Sequence, residues 1–208
     1  MEPTKIEQDI LAAAKRLFME RGFAGTSTTD IANEAGCNQA LIHYYYRTKD
    51  NLFEKVFLEE INKALKMIST VLDTSYEDRS LKDLINIVID FYVQTLRSQP
   101  QLPFFIVQEL LLNPARREMI REQFVNNEYR REAYNKYAAI IRKMTAAGLM
   151  KSIEPFDLLI NTVSLVAGTF LSLPLYGDLL GKGEDERNAY IDSRREEIKT
   201  VLLNRLQP

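Results

Sequence analysis

Gln39, Ala40, His43 and Tyr44 form the most chemically pointed group in this sequence. At about 100° per residue they share one side of a short helix, while Ile42 and Tyr46, flanked by Leu41 and Tyr45, fall on the other. The first face is small, hydrogen-bonding and aromatic; the second is a packing face. No carboxylate occurs from Ala35 to Lys49, whereas Arg47, Lys49 and the titratable His43 do. A surface that approaches phosphates needs that local freedom from repulsion. Tyr46 reads as core; Tyr44 and Tyr45 read equally as core or as surface.

The neighbouring residues supply the elements that hold this face. Thr28 to Ala35 can form about two helical turns, with Ser27 or Thr28 as N-cap and Asp30 near the positive end of the helix dipole. Gly36 follows, where a left-handed position past a helix end favours glycine. Asn38 caps the second helix, and Thr48 caps a third that begins at Lys49. A helix, a three-residue turn containing glycine and a second helix are the layout of a helix-turn-helix, whose second helix enters a DNA major groove.

The first fifty-odd residues resemble the DNA-binding domain of the TetR family of bacterial transcription regulators. The resemblance is carried by Ile10, Ala13, Ala14, Leu17 and Phe18, then Gly22-Phe23, then Thr28-Thr29-Asp30-Ile31-Ala32. It continues through Ala35-Gly36-Cys37 and the run from Ile42 to Lys49, ending at Leu52. About a quarter of the chain is covered.

The resemblance implies roles for single residues. Thr28 and Thr29 would hold backbone phosphates. Gln39 and Ala40 would face base edges, since glutamine can pair bidentately with adenine and an alanine methyl can touch that of thymine. Tyr44 and Tyr45 would contact phosphate or bases, and Lys49 a phosphate. His43 stands where the family usually has tyrosine; it can still donate one hydrogen bond, with some pH sensitivity. Cys37 and Tyr46 also depart from the family pattern, and both read as packing substitutions.

Composition narrows the class. The chain has 208 residues, 46% apolar and 27% charged, with a formal net charge of −2. Residues 1–50 hold six Lys or Arg against seven Asp or Glu. Any affinity for nucleic acid must therefore come from local placement, not from a basic field. One cysteine excludes an internal disulfide framework and suits a reducing compartment. The single histidine lies in the second helix of the motif, and no metal-ligand cluster, glycine-rich phosphate loop or nucleophile elbow accompanies it. The expectation is a cytoplasmic protein that is not an enzyme and needs no cofactor. The charged N-terminus argues against a signal peptide. The apolar stretch Leu158–Leu175 approaches the length of a membrane span, but Asn161, Ser164, Thr169, Ser172 and Pro174 interrupt it, so a protein interface is preferred.

Beyond Thr48 the sequence reads as helix after helix, giving an all-α fold of about nine helices. Residues 1–50 form the DNA-binding head, a fourth helix over about 49–73 links it onward, and 51–208 form an effector-binding and dimerisation domain. Ser80 caps a fifth helix, apolar nearly all round, and Phe104–Leu112 forms a sixth. Ala115–Ala147 reads as one long helix, Pro155 opens the eighth, and Asp185–Leu206 forms the last. The last two helices offer a homodimer interface through Leu158, Thr162, Leu165, Val166, Thr169, Ile191, Ile198, Val201 and Leu202. An effector pocket, expected from the resemblance, is assigned to Met67, Phe91, Tyr92, Phe104, Phe105, Phe124, Tyr134, Tyr137, Phe170 and Tyr176. The expected partners are a palindromic operator in double-stranded DNA, a second copy of the chain and a small, largely apolar effector, with no membrane. The competing reading is an all-helical scaffold whose head recognises a protein.

Overall fold

The computed structural model describes residues 4–73, 80–126 and 128–208. Every regular element among them is helical, and they divide into two compact units, Met1–Ala64 and Leu65–Pro208.

The first unit contains α1 (Lys5–Arg21), α2 (Thr28–Glu34), α3 (Gln39–Tyr46) and the opening turns of α4 (Lys49–Asp73). Each start is fixed by a side chain that satisfies otherwise unpaired amides of the first turn. Thr4 accepts from the Glu7 amide, Asn38 from Leu41 and Thr48 from Asn51. Ser27 and Asp30 cap α2 reciprocally, each side chain accepting from the other's backbone N–H. Gly36, between α2 and α3, has φ +64°, a conformation that a Cβ would strain. The buried residues of α1 are the five expected from its apolar stripe, Ile10, Ala13, Ala14, Leu17 and Phe18.

This unit extends past residue 50 because α4 supplies part of its core. Leu52, Phe53, Val56 and Phe57 are buried, and Phe53 meets the edges of Phe18 and Phe23 at ring separations of 5.1 and 5.3 Å. Removing such a ring from a packed core costs about 3–5 kcal/mol. Farther along α4, the buried carboxylate of Glu60 is held by Lys15 of α1 at 2.8 Å and by Lys63 at 2.7 Å. A buried charge needs that pairing to be tolerated.

The second unit contains α5 (Leu81–Ser98), α6 (Leu102–Leu112), α7 (Pro114–Asn126), α8 (Glu128–Ala146), α9 (Pro155–Pro174) and α10 (Glu184–Leu206). The described residues thus hold ten α-helices where nine were expected. The long seventh helix is two, α7 and α8, on either side of Asn127, which lies outside the described residues. A π-helical turn, Leu175–Leu179, follows Pro174.

The second core is built from Leu84, Ile89, Val93 and Leu96 of α5, Phe105 of α6, Ile141 and Met144 of α8, Val166 and Phe170 of α9, and Ile198, Leu202 and Leu206 of α10. Ser80 and Asp83 form the expected cap of α5. Charges lace α5 to α10, with Lys199 2.6 Å from Asp90 and Arg97 2.7 Å from Asp192. A third pair, Glu109 and Arg116 at 3.0 Å, is buried between α6 and α7.

Candidate nucleic-acid interface

Helix α3 divides its side chains as its periodicity demands. Ile42 and Tyr46 are buried, while Gln39, Ala40, His43 and Tyr44 are exposed. With the first turn of α2, Gln39, Ala40 and His43 border a concavity of about 410 Å³, lined by Thr28, Gln39, Ala40, Ile42, His43, Arg47 and Thr48. Four residues singled out in the sequence are thereby brought together: Thr28, Gln39, Ala40 and His43. Thr29 is exposed on the same first turn of α2.

The groove is ordered by hydrogen bonds. Gln39 Nε2 donates to Thr28 Oγ1 at 2.7 Å, joining the first turns of the two helices. Tyr44 is 74% exposed and meets the Tyr45 ring edge to face at 5.1 Å. Tyr45 is half-buried, its hydroxyl 3.0 Å from Thr4 Oγ1. Tyr46 donates to the Glu7 carbonyl at 3.2 Å. The three consecutive tyrosines therefore do three things: one faces solvent, one ties α3 to the start of α1, and one is core.

Electrostatics around the groove suit an anion. Both acids of α2 are already engaged, Glu34 by Arg16 and Asp30 by Ser27. The Ser27 hydrogen bonds hold the Asp30 carboxyl below the ordinary range, so its charge is fixed as the helix cap. Burial pushes the Cys37 thiol up, away from the thiolate that redox chemistry requires.

Arg47 and Thr48 also line the groove, and the sequence reading did not place them there. Arg47 ends α3 with φ 68° and ψ −55°, and the Thr48 amide donates to the Tyr46 carbonyl at 2.8 Å. That is a tight γ-turn centred on Arg47, a strained conformation for a residue with a Cβ. A lone cation directly after the aromatic run was the available signal. Lys49, expected at a phosphate, donates to the carbonyls of Phe23 at 3.0 Å and Thr26 at 2.9 Å.

In the second unit the residues assigned to a pocket differ in burial, and Tyr134 and Tyr137 are ring neighbours at 6.3 Å. Phe105 and Phe170 are buried, whereas Phe91, Phe104 and Tyr134 are exposed. Tyr137 donates to the Pro155 carbonyl at 3.0 Å, Tyr92 is half-buried, and Tyr176 stacks on Tyr190 at 4.2 Å. The side chains of Met67 and Phe124 lie outside the described residues.

The residues expected at an interface differ in exposure. Leu158, Val166, Thr169, Ile191, Ile198 and Leu202 are buried within their own chain; Thr162 and Leu165 are half-buried, and Val201 is exposed. The apolar side chains that α9 leaves exposed are Phe156, Ile160, Val163 and Leu171, a stripe at helical spacing on its other side. By length and composition alone, Pro155–Leu179 could cross a membrane. Its buried face, however, packs within the second unit, against α5, α8 and α10.

Residues 10–56 match the domain described as bacterial regulatory proteins, tetR family. The head thus carries a tetR-family domain. The chain is 30% identical over 92 residues to the HTH-type transcriptional repressor NicS of Pseudomonas putida, a stretch covering 43% of each chain. It is 22% identical over 177 residues to the HTH-type transcriptional regulator AcrR of Shigella flexneri, covering 82% of this chain and 77% of that one. The chain thus spans about half or less of some curated relatives, 53% of YttP of Bacillus subtilis and 43% of NicS. Its fold is that of the fatty acid degradation regulator FadR from Bacillus halodurans, with a TM-score of 0.62 at 16% identity over 96% of this chain and 97% of that one.

Proposed function

We propose that this chain is a DNA-binding transcriptional regulator, acting as a repressor that binds a palindromic operator as a homodimer. The observation that carries the reading is the groove at the first turns of α2 and α3. Hydrogen-bonding side chains, a histidine and Arg47 converge there, and the two acids of α2 are engaged by Arg16 and Ser27. Helix α3 would enter the major groove while the first turn of α2 meets the backbone. The repressor assignment draws on relatives such as NicS.

The second copy would cover the exposed stripe Phe156, Ile160, Val163 and Leu171 of α9, joined by Val201 of α10. Two-fold symmetry then sets two α3 helices against two half-sites one DNA turn, or a multiple, apart. The effector would be small and largely apolar, held by the second unit, and would release DNA by binding the released form more tightly.

Retention of random genomic fragments by the purified protein, followed by sequencing and salt titration, tests this. A palindrome held with steep salt dependence is the expected result. Retention of no fragment at low salt would overturn the DNA-binding reading and leave the head as a protein-recognition module.

A further inference from the structure

The hydrogen bond between Gln39 and Thr28 bears on what the groove can read. A carboxamide has two ends of opposite character: its nitrogen only donates, and its oxygen only accepts. A free glutamine can turn its terminal group over and offer either end to a base. Gln39 is not free in this way, because its Nε2 already donates to Thr28 Oγ1 at 2.7 Å. Ser27, not Thr28, caps α2, so the Thr28 hydroxyl is not engaged as that helix's N-cap.

We propose that Thr28 is a positioning residue that fixes which end of the Gln39 amide meets the DNA. With the nitrogen end tied to Thr28, Oε1 is the end presented to a base edge. An acceptor so placed pairs with the amino groups that adenine and cytosine display in the major groove, and it repels the keto oxygens of guanine and thymine. Adenine is favoured over cytosine, because the second amide proton of Gln39 can reach its N7. One position of each half-site therefore carries an amino-bearing base, adenine first.

The same geometry couples this choice to the DNA backbone. The Thr28 hydroxyl has one proton and two lone pairs, and accepting from Gln39 leaves its proton for a phosphate oxygen. Donation to that anion polarises the hydroxyl and strengthens its bond to Gln39. Phosphate contact and base choice then reinforce each other, and a misplaced backbone loosens the reader as well as the grip.

The inference rests on the DNA-binding reading, and one experiment separates the two. Affinities are measured for the retained palindrome and for symmetric single-base changes along each half-site, using wild type, Thr28→Val, Thr28→Ser and Gln39→Ala. Wild type is expected to prefer amino over keto bases at one position by about tenfold or more. Gln39→Ala should erase that preference. Thr28→Val, which keeps the shape and removes the hydroxyl, should shrink it to within about twofold, and Thr28→Ser should restore it. A merely structural role for Thr28 would weaken all sequences equally without touching the ratio.

An undiminished ratio in Thr28→Val, or a keto preference at the Gln39 position in wild type, overturns the inference while the regulator reading stands. Failure of wild type to retain any palindrome overturns both.

Discussion

The Lys49 ammonium sits 4.0 Å from the centre of the Phe23 ring while donating to the carbonyls of Phe23 and Thr26. One side chain at the start of α4 thus closes the loop between α1 and α2 by a cation–π contact and two charge-assisted hydrogen bonds. Two of its three protons are used there. Lys49→Met keeps the stem and removes the charge, and it should destabilise the head by about 1–3 kcal/mol. Chemical unfolding followed by circular dichroism checks this; an unchanged midpoint would show that the contact contributes nothing.

Arg47 holds a γ-turn that its Cβ disfavours. Arg47→Gly should relieve the strain and stabilise the protein by up to about 1 kcal/mol, the gain being limited by the greater freedom of unfolded glycine. It also removes a cation from the groove, so the salt dependence of DNA binding should flatten by about one unit per half-site. Higher stability with weaker DNA affinity is the expected signature. Lower stability would refute the strain argument.

Exposure on α9 separates the proposed interface from the core. Val163 is 37% exposed and Val166 is fully buried, three residues away on the same helix. The double change Ile160→Asp and Val163→Asp should give a folded monomer by light scattering. Val166→Asp buries an unpaired carboxylate and should unfold the second unit instead. A dimer that survives the double change would place the interface elsewhere.

Stability should fall in alkali because of the buried tyrosines. Burial pushes the Tyr92 hydroxyl up to about 12, and burial first also moves Tyr46 and Tyr137 upward. Nearby acidic and phenolic groups add to the shift of Tyr46, and Tyr134 adds to that of Tyr137. The folded form favours the neutral phenol, so this contribution is complete below the unfolded tyrosine value of about 10. It is lost as pH rises from there towards the folded value. Tyrosinate absorbance and circular dichroism recorded together should show these residues ionising with unfolding; full ionisation of the folded protein would contradict the burial argument.

Different parts of the molecule were legible to different degrees. In α3 the apolar and polar residues occupy separate faces, so periodicity alone placed Ile42 and Tyr46 inside and Gln39 and His43 outside. Helix α9 is apolar on both faces, and one of these belongs to its own chain. Nothing in the spacing says which, and the choice depends on α5, α8 and α10 packing against it. The division of the long seventh helix escaped notice because no proline or glycine occurs between Ala115 and Ala147. The γ-turn at Arg47 and the docking of Lys49 arise only when α4 leaves α3 at a particular angle, which no local pattern records.

Lys49 and Glu60 lie eleven residues apart on α4, close to three full turns, so both project from nearly the same side of the helix. Lys49 is fastened to the α1–α2 loop and Glu60 to Lys15 of α1. A rod pinned at two points along one edge cannot spin about its own axis without breaking both pins. Within the head, α4 is therefore a lever and not an axle: it can tilt only by carrying α1 and the α1–α2 loop with it.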